Sequence, residues 1–173
     1  AVYMAGLVSA AKLARRSHPD VDEILKRGIE WFPRMMNNYY KPSGASNEGP
    51  GYWEYTTQHA VAALIGISRH KGWRVQDYAP PHLGQTMDYL MHLRSLSRDQ
   101  LSFLPLSDNI EGVGYHFMSS SFLFFAKYYE DPHALWLWHE HYGRQLNTPG
   151  STFFGKQTCG AYSLSGLLNL LLF

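Results

Sequence analysis

The run Pro42-Ser43-Gly44-Ala45-Ser46-Asn47-Glu48-Gly49-Pro50-Gly51-Tyr52-Trp53-Glu54-Tyr55 decides how this chain is read, because its character changes halfway along. Residues 37–51 hold three glycines and two prolines, which forbid a regular element and predict a loop. From Tyr52 to about His70 the spacing turns helical, with Ala60, Ala62, Ala63, Leu64 and Ile67 as the expected core positions. A long loop therefore opens directly into a helix.

Upstream, residues 2–16 read as a helix rich in Ala, Leu and Met, with Arg15 and Arg16 in the last turn, where cations favour the dipole. Ser17-His18-Pro19-Asp20 breaks it. Asp20 is expected to cap a second helix, with Glu23 three residues on completing a capping box. Val21, Ile24, Leu25, Ile29, Trp31, Phe32 and Met35 approximate its apolar stripe, and Pro33 predicts a kink or the late portion of the helix.

Downstream, residues 73–81 form a connection closed by Pro80-Pro81, and residues 84–96 a fourth helix carrying Met87, Tyr89, Leu90, Met91 and Leu93. Residues 97–117 are irregular, with a short strand expected around 101–106. Ser119-Ser120-Ser121 opens an aromatic helix through Tyr129, stopped by Glu130-Asp131-Pro132. Pro132 suits the first turn of a sixth helix to about Leu146. Residues 147–160 are a loop and 161–173 a last, apolar helix. Paired helices with long connections gathered on one face predict an all-α fold, an incomplete α/α toroid of antiparallel helix pairs. Binding chemistry would sit on the loop face.

Composition narrows the function. Hydrophobic residues make up 45% and charged residues 17%, so a packed core is expected and disorder is excluded. The net charge of +1 leaves no footprint for nucleic acid, and no basic run suits a membrane surface. Cys159 is the sole cysteine, which excludes an internal disulfide framework. The helical pattern is already under way at Ala1, without initiator Met or signal sequence. It stops inside the apolar run Leu164 to Phe173, about half the roughly twenty residues that span a bilayer. Both ends read as cut, so residues 1–173 are expected to be one partial domain.

The stretch from Ser43 to Tyr55 resembles the loop-to-helix signature D-G-x-x-x-E-G-P-x-Y-x-x-Y of heparinase II/III-like and related alginate lyases, bacterial enzymes that degrade acidic glycans. Glu48-Gly49-Pro50, Tyr52 and Tyr55 are in place, and Ser43 stands where the family often has Asp. Ala5-Gly6 to Leu13 is similar to a small-residue helix of the family, Leu101 to Asp108 to its F-N-Y-x-D segment, and Phe122 to Trp136 to its L-F-W-L-A-x-x-Y-x-D-P-x-x-x-W helix pair. The resemblance thus covers most of the chain. It implies a periplasmic or secreted enzyme, the remaining toroid helices and a C-terminal β-sandwich as neighbours, an acidic polysaccharide as substrate, and no cofactor.

The resemblance also implies roles. Tyr55 corresponds to the tyrosine placed at the 4-oxygen of the scissile linkage. β-Elimination removes the C5 proton of a uronic acid and expels the oxygen on C4, so a donor must reach the departing oxygen. Tyrosine, with a reference pKa of about 10, is protonated at neutral pH and can donate. Donors that neutralise the substrate carboxylate stabilise the intermediate. The family's Asn or His helper would precede Ala1, and no later histidine matches confidently.

Around Tyr55 the candidates for substrate contact are Tyr52, Asn47, Trp53 and His116. Trp53 is either a stacking platform or core. Glu48 is expected to hold the loop by accepting backbone N–H bonds at the helix start, and His59, four residues after Tyr55, to support the phenol. Lys156, or Arg94 with Arg98, could meet a carboxylate or sulfate. His139 and His141 point to different helix faces, and no H-E-x-x-H, Walker or G-x-G-x-x-G pattern occurs, so no metal is expected. A non-catalytic glycan-binding toroid, or a uronate epimerase with the same proton chemistry, remains open beside the lyase. A hydrolase would need two facing carboxylic acids, and no such pair stands out.

Overall fold

The computed structural model describes residues 19–94, Leu104, Leu106 and residues 119–140. Their regular structure is helical: α1 (Val21–Tyr39), α2 (Pro50–Lys71), the single turn α3 (Val75–Tyr78), α4 (Thr86–His92) entered through a 3-10 turn (Leu83–Gln85), α5 (Ser119–Tyr128) and α6 (Pro132–Trp138). Tyr40 and Ser46 form an isolated antiparallel bridge. The described residues are helix-rich, in keeping with the expected all-α class. The expected helices over 2–16 and 161–173, the loop 147–160 and His116 lie outside the described residues, as does most of the strand expected around 101–106.

Helix α1 buries Val21, Leu25, Gly28, Ile29, Phe32 and Met36, an i, i+4, i+7 stripe that faces one side. Two details differ from the sequence reading. Asp20 occupies the N-cap position, but its side chain makes no capping hydrogen bond; Glu23 instead takes Arg27, 2.9 Å away on the exposed face. Trp31 is 56% exposed with the Arg34 guanidinium 5.0 Å over its ring, so it belongs to the solvent face and not to the core stripe.

Pro33 does not end α1, which continues to Tyr39. A proline there has no N–H for the carbonyl four residues back, Ile29. That carbonyl accepts a hydrogen bond from the Tyr78 hydroxyl instead. The Tyr78 ring stacks on Phe32 with centroids 6.2 Å apart and planes 9° off parallel. Burial pushes the Tyr78 hydroxyl above its ordinary pKa, so it stays a donor at any working pH. The short helix α3 thus supplies the bond that the proline removes.

Helix α2 is the central element. Pro50 stands in its first turn, and Gly72 (φ +70°) ends it in the left-handed conformation, with Arg69, His70 and Lys71 in the last turn. More than half its circumference is buried, from Trp53 through Thr57, Ala60, Val61 and Leu64 to Ile67. A face that wide suits a helix enclosed by neighbours, not one lying on a surface. Two of its buried polar groups are paired: the Thr57 hydroxyl with the Tyr40 hydroxyl at 2.6 Å, and the Trp53 indole N–H with Thr86 Oγ1 of α4 at 2.6 Å.

Helices α5 and α6 fold back on each other across three residues and close the core. Ser121, Phe122, Leu123, Phe124 and Phe125 are all buried, and Phe125 stacks near Trp53 at 6.4 Å. The turn is built by Glu130 in the left-handed region (φ 53°) and by Asp131, whose Oδ1 accepts from the His133 and Ala134 N–H groups at 2.8 and 3.1 Å. Pro132 opens α6, as its sequence position predicts. Each large side chain enclosed here contributes about 1.5–3 kcal/mol through loss of water contact.

The pairing of Pro33 with Tyr78 gives a test. Tyr78→Phe leaves the Ile29 carbonyl without its donor and should destabilise the fold by about 1–3 kcal/mol in denaturant titration. In a Pro33→Ala background the restored N–H bonds Ile29, so the same Tyr78 change should cost clearly less. Equal costs in the two backgrounds would show that the tyrosine is not replacing the helix bond.

Candidate functional site

The site is built where the loop over residues 40–49 enters α2. The loop is closed by Lys41 N–H to the Ala45 carbonyl (2.8 Å) and Gly44 N–H to the Lys41 carbonyl (2.8 Å), with Asn47 Nδ2 donating to the Asn38 carbonyl at the end of α1 (2.9 Å). Gly44 is required twice over. Its φ is +79°, and a Cβ there would lie 2.3 Å from the Gln85 carbonyl oxygen. The loop therefore packs main chain against main chain on the 3-10 turn.

Beyond Pro50 the first turns of α2 project Tyr52 and Tyr55 to the same outer face, 43% and 42% exposed. His59, one turn further, meets the Tyr55 ring edge-on with centroids 4.9 Å apart. Its Nδ1 donates to the Tyr55 main-chain carbonyl at 2.7 Å, which in the neutral ring leaves Nε2 as the acceptor. Tyr52, Tyr55 and His59 thus form one accessible strip, with Asn47 and Glu48 exposed on the loop that precedes it.

One open reading closes here and one expectation changes. Trp53 is fully buried, its N–H given to Thr86 and its ring beside Phe125, so it offers no face for a sugar and is a core residue. Glu48 anchors the loop through its main chain and not through carboxylate capping. Its N–H meets Ser46 Oγ at 3.3 Å, and its carbonyl accepts from the Ser46 hydroxyl and from the Tyr89 hydroxyl at 3.0 Å. The N-cap is Gly49, with no side-chain capping bond. Arg94 lies 4.6 Å over the Trp136 ring, while Arg98, Lys156 and His141 fall outside the described residues. No group of three or more potential metal ligands occurs among the described residues, and none of their helices is long and apolar enough to cross a membrane.

Several residues near the strip were not singled out by the sequence. The Tyr39 hydroxyl is buried among Ser46, Glu48 and Thr56, none of which reaches hydrogen-bond geometry with it. Burial raises its pKa, the Glu48 charge adds to the rise, and the Thr56 and Ser46 hydroxyls oppose it. On the inner side of α2, Glu54 and Gln58 lie one turn apart and are buried; the Glu54 Oε1 and both polar ends of the Gln58 amide have no hydrogen-bond partner. Desolvation holds the Glu54 carboxyl well above the usual range, in its neutral form. Helical spacing could have found this pair, since residues 54, 58, 61 and 65 share a stripe with buried Val61 and Ile65.

Because its folded pKa is raised, Glu54 contributes stability that is full below the unfolded value of about 4.3 and is lost as pH climbs through the folded value. Thermal melts of the wild type should therefore fall in midpoint, as pH rises above the ordinary carboxylate range, more steeply than those of Glu54→Gln, whose amide does not ionise. Parallel curves for the two proteins would contradict the assignment of a buried neutral carboxyl.

Compared with known proteins, the chain matches no family model, no curated protein and no solved structure.

Proposed function

We propose that this chain is part of the α/α toroid of a heparinase II/III-like polysaccharide lyase, which cleaves uronic-acid-containing glycans by β-elimination with Tyr55 as the proton donor to the C4 oxygen. One observation carries the reading. The Ser43 to Tyr55 motif is a tightly packed loop-to-helix junction, and of its three aromatic residues Trp53 turns into the core while Tyr52 and Tyr55 turn out together. Both phenols thereby stand where a glycan chain could reach them.

Each residue on the strip has work in such a reaction. The Tyr55 hydroxyl can give its proton to the departing oxygen, and as a phenolate it can recover one from C5 if a nearby donor stabilises its charge. His59 orients the Tyr55 ring from the following turn. Tyr52 and Asn47 flank the phenol and can donate to sugar hydroxyls or to the uronate carboxylate, whose neutralisation makes the C5 proton more acidic. The substrate is an acidic polysaccharide. The partner elements are the remaining toroid helices and a C-terminal β-sandwich, in a protein exported to the periplasm or beyond.

Tyr55→Phe removes one oxygen from an exposed ring, so packing should suffer little. In the full-length protein, turnover of a cleavable glycan should drop by about a hundredfold or more with the melting temperature nearly unchanged. Full activity in the Phe variant would end the catalytic assignment and favour a non-catalytic glycan-binding toroid.

A further inference from the structure

The motif loop is gripped from outside by one short segment, the 3-10 turn Leu83–Gln85 with α4 behind it. Three contacts come from residues 85, 86 and 89. The Gln85 carbonyl sits against Gly44 with no room for a Cβ. Thr86 Oγ1 accepts from the Trp53 indole at 2.6 Å. The Tyr89 hydroxyl donates to the Glu48 carbonyl at 3.0 Å, sharing that acceptor with the Ser46 hydroxyl. One face of one and a half turns thus holds both the loop, at 44 and 48, and the first turn of α2, at 53. Glu48 immediately precedes the N-cap Gly49, whose carbonyl takes the Trp53 N–H at 2.9 Å. Any displacement of the Glu48 carbonyl is therefore passed through Gly49 and Pro50 to the turns that carry Tyr52 and Tyr55.

We propose that Tyr89 is a positioning residue for the exposed tyrosines: with Ser46 it fixes the Glu48 carbonyl, and through it the direction in which Tyr55 leaves α2. This rests on the reading of Tyr55 as the proton donor and extends it to a residue that acts through the main chain. Proton transfer requires heavy atoms within about 2.6–3.2 Å, and a misplacement of about 1 Å can cost about a hundredfold in rate. Two donors on one carbonyl make the position tolerant of losing either. The Tyr89 ring is half-buried against the core, so Phe retains its packing and deletes only the tether.

The test compares wild type, Tyr89→Phe, Ser46→Ala and the double variant, in the full-length protein. Steady-state kinetics are read on a uronate glycan that the wild type cleaves, and amide hydrogen exchange is read along α2. Each single change should lower kcat a few-fold. The double variant should lower it by more than the product of the singles, to about tenfold or beyond, with KM held within about twofold. Exchange should quicken at residues 49–55 and stay unchanged over the rest of α2. A double variant with wild-type kcat, measured where Tyr55→Phe is inactive, overturns the proposal. So does a uniform rise in exchange across all helices, which would mark a merely stabilising residue. If the wild type cleaves no glycan, the Tyr55 reading falls and exchange decides alone: quickening confined to 49–55 supports the tether, and unchanged exchange overturns it.

Discussion

The hydrogen bond from the Trp53 indole to Thr86 is the contact on which the arrangement turns, because it lets a polar ring atom go fully into the core. A buried indole N–H without an acceptor costs about 1–3 kcal/mol, which would offset most of what enclosing the ring gains. With Thr86 as acceptor, Trp53 stays inside beside Phe125 and sets the rotation of α2 about its own axis. Once that rotation is fixed, Tyr52 and Tyr55 have only the outer face left to them. The exposure of the two phenols follows from the burial of the residue between them.

The same logic recurs around α2. Tyr40 gives or takes a bond with Thr57, and Tyr78 takes over the carbonyl freed by Pro33. In each case an aromatic hydroxyl or N–H fills a bonding need deep in an apolar environment, where the alternative is an unpaired group. Glu54 and Gln58 break this pattern, with polar atoms buried and unpaired. They sit on the helix that presents the candidate catalytic residue, one side facing the core and the other the strip.

Much of this was legible in the sequence, and the reasons for what was not are physical. The Asp131-Pro132 opening of α6 and the helical character of Ser119–Tyr128 follow from local rules that need no tertiary knowledge, while α2 starts at Pro50, two residues before the expected Tyr52. The continuation of α1 past Pro33 was legible from Met35 in its stripe, but the bond that replaces the lost N–H was not, because it comes from a hydroxyl 49 residues away. Asp20 reads as a cap but makes no capping bond, since its backbone is already helical (φ −86°, ψ −1°) and not in the extended geometry that aims an N-cap side chain at the first amides. At the site, the pattern of Tyr52 and Tyr55 on one face was visible from their spacing alone. The main-chain role of Glu48 was not, and the sequence left Trp53 between core and stacking platform, because both are decided by partners on α4.

The most direct measurement is the chemistry of the product ends. The full-length protein is incubated with a panel of uronate-containing glycans, and the reaction is followed by the ultraviolet absorbance of a C4–C5 double bond together with mass analysis of the fragments. The account predicts that at least one glycan is cut, each cut leaving an unsaturated uronate at the new non-reducing end. Fragments with saturated ends only, or C5 inversion in an uncut chain, would place the chemistry elsewhere and contradict the elimination assigned to Tyr55.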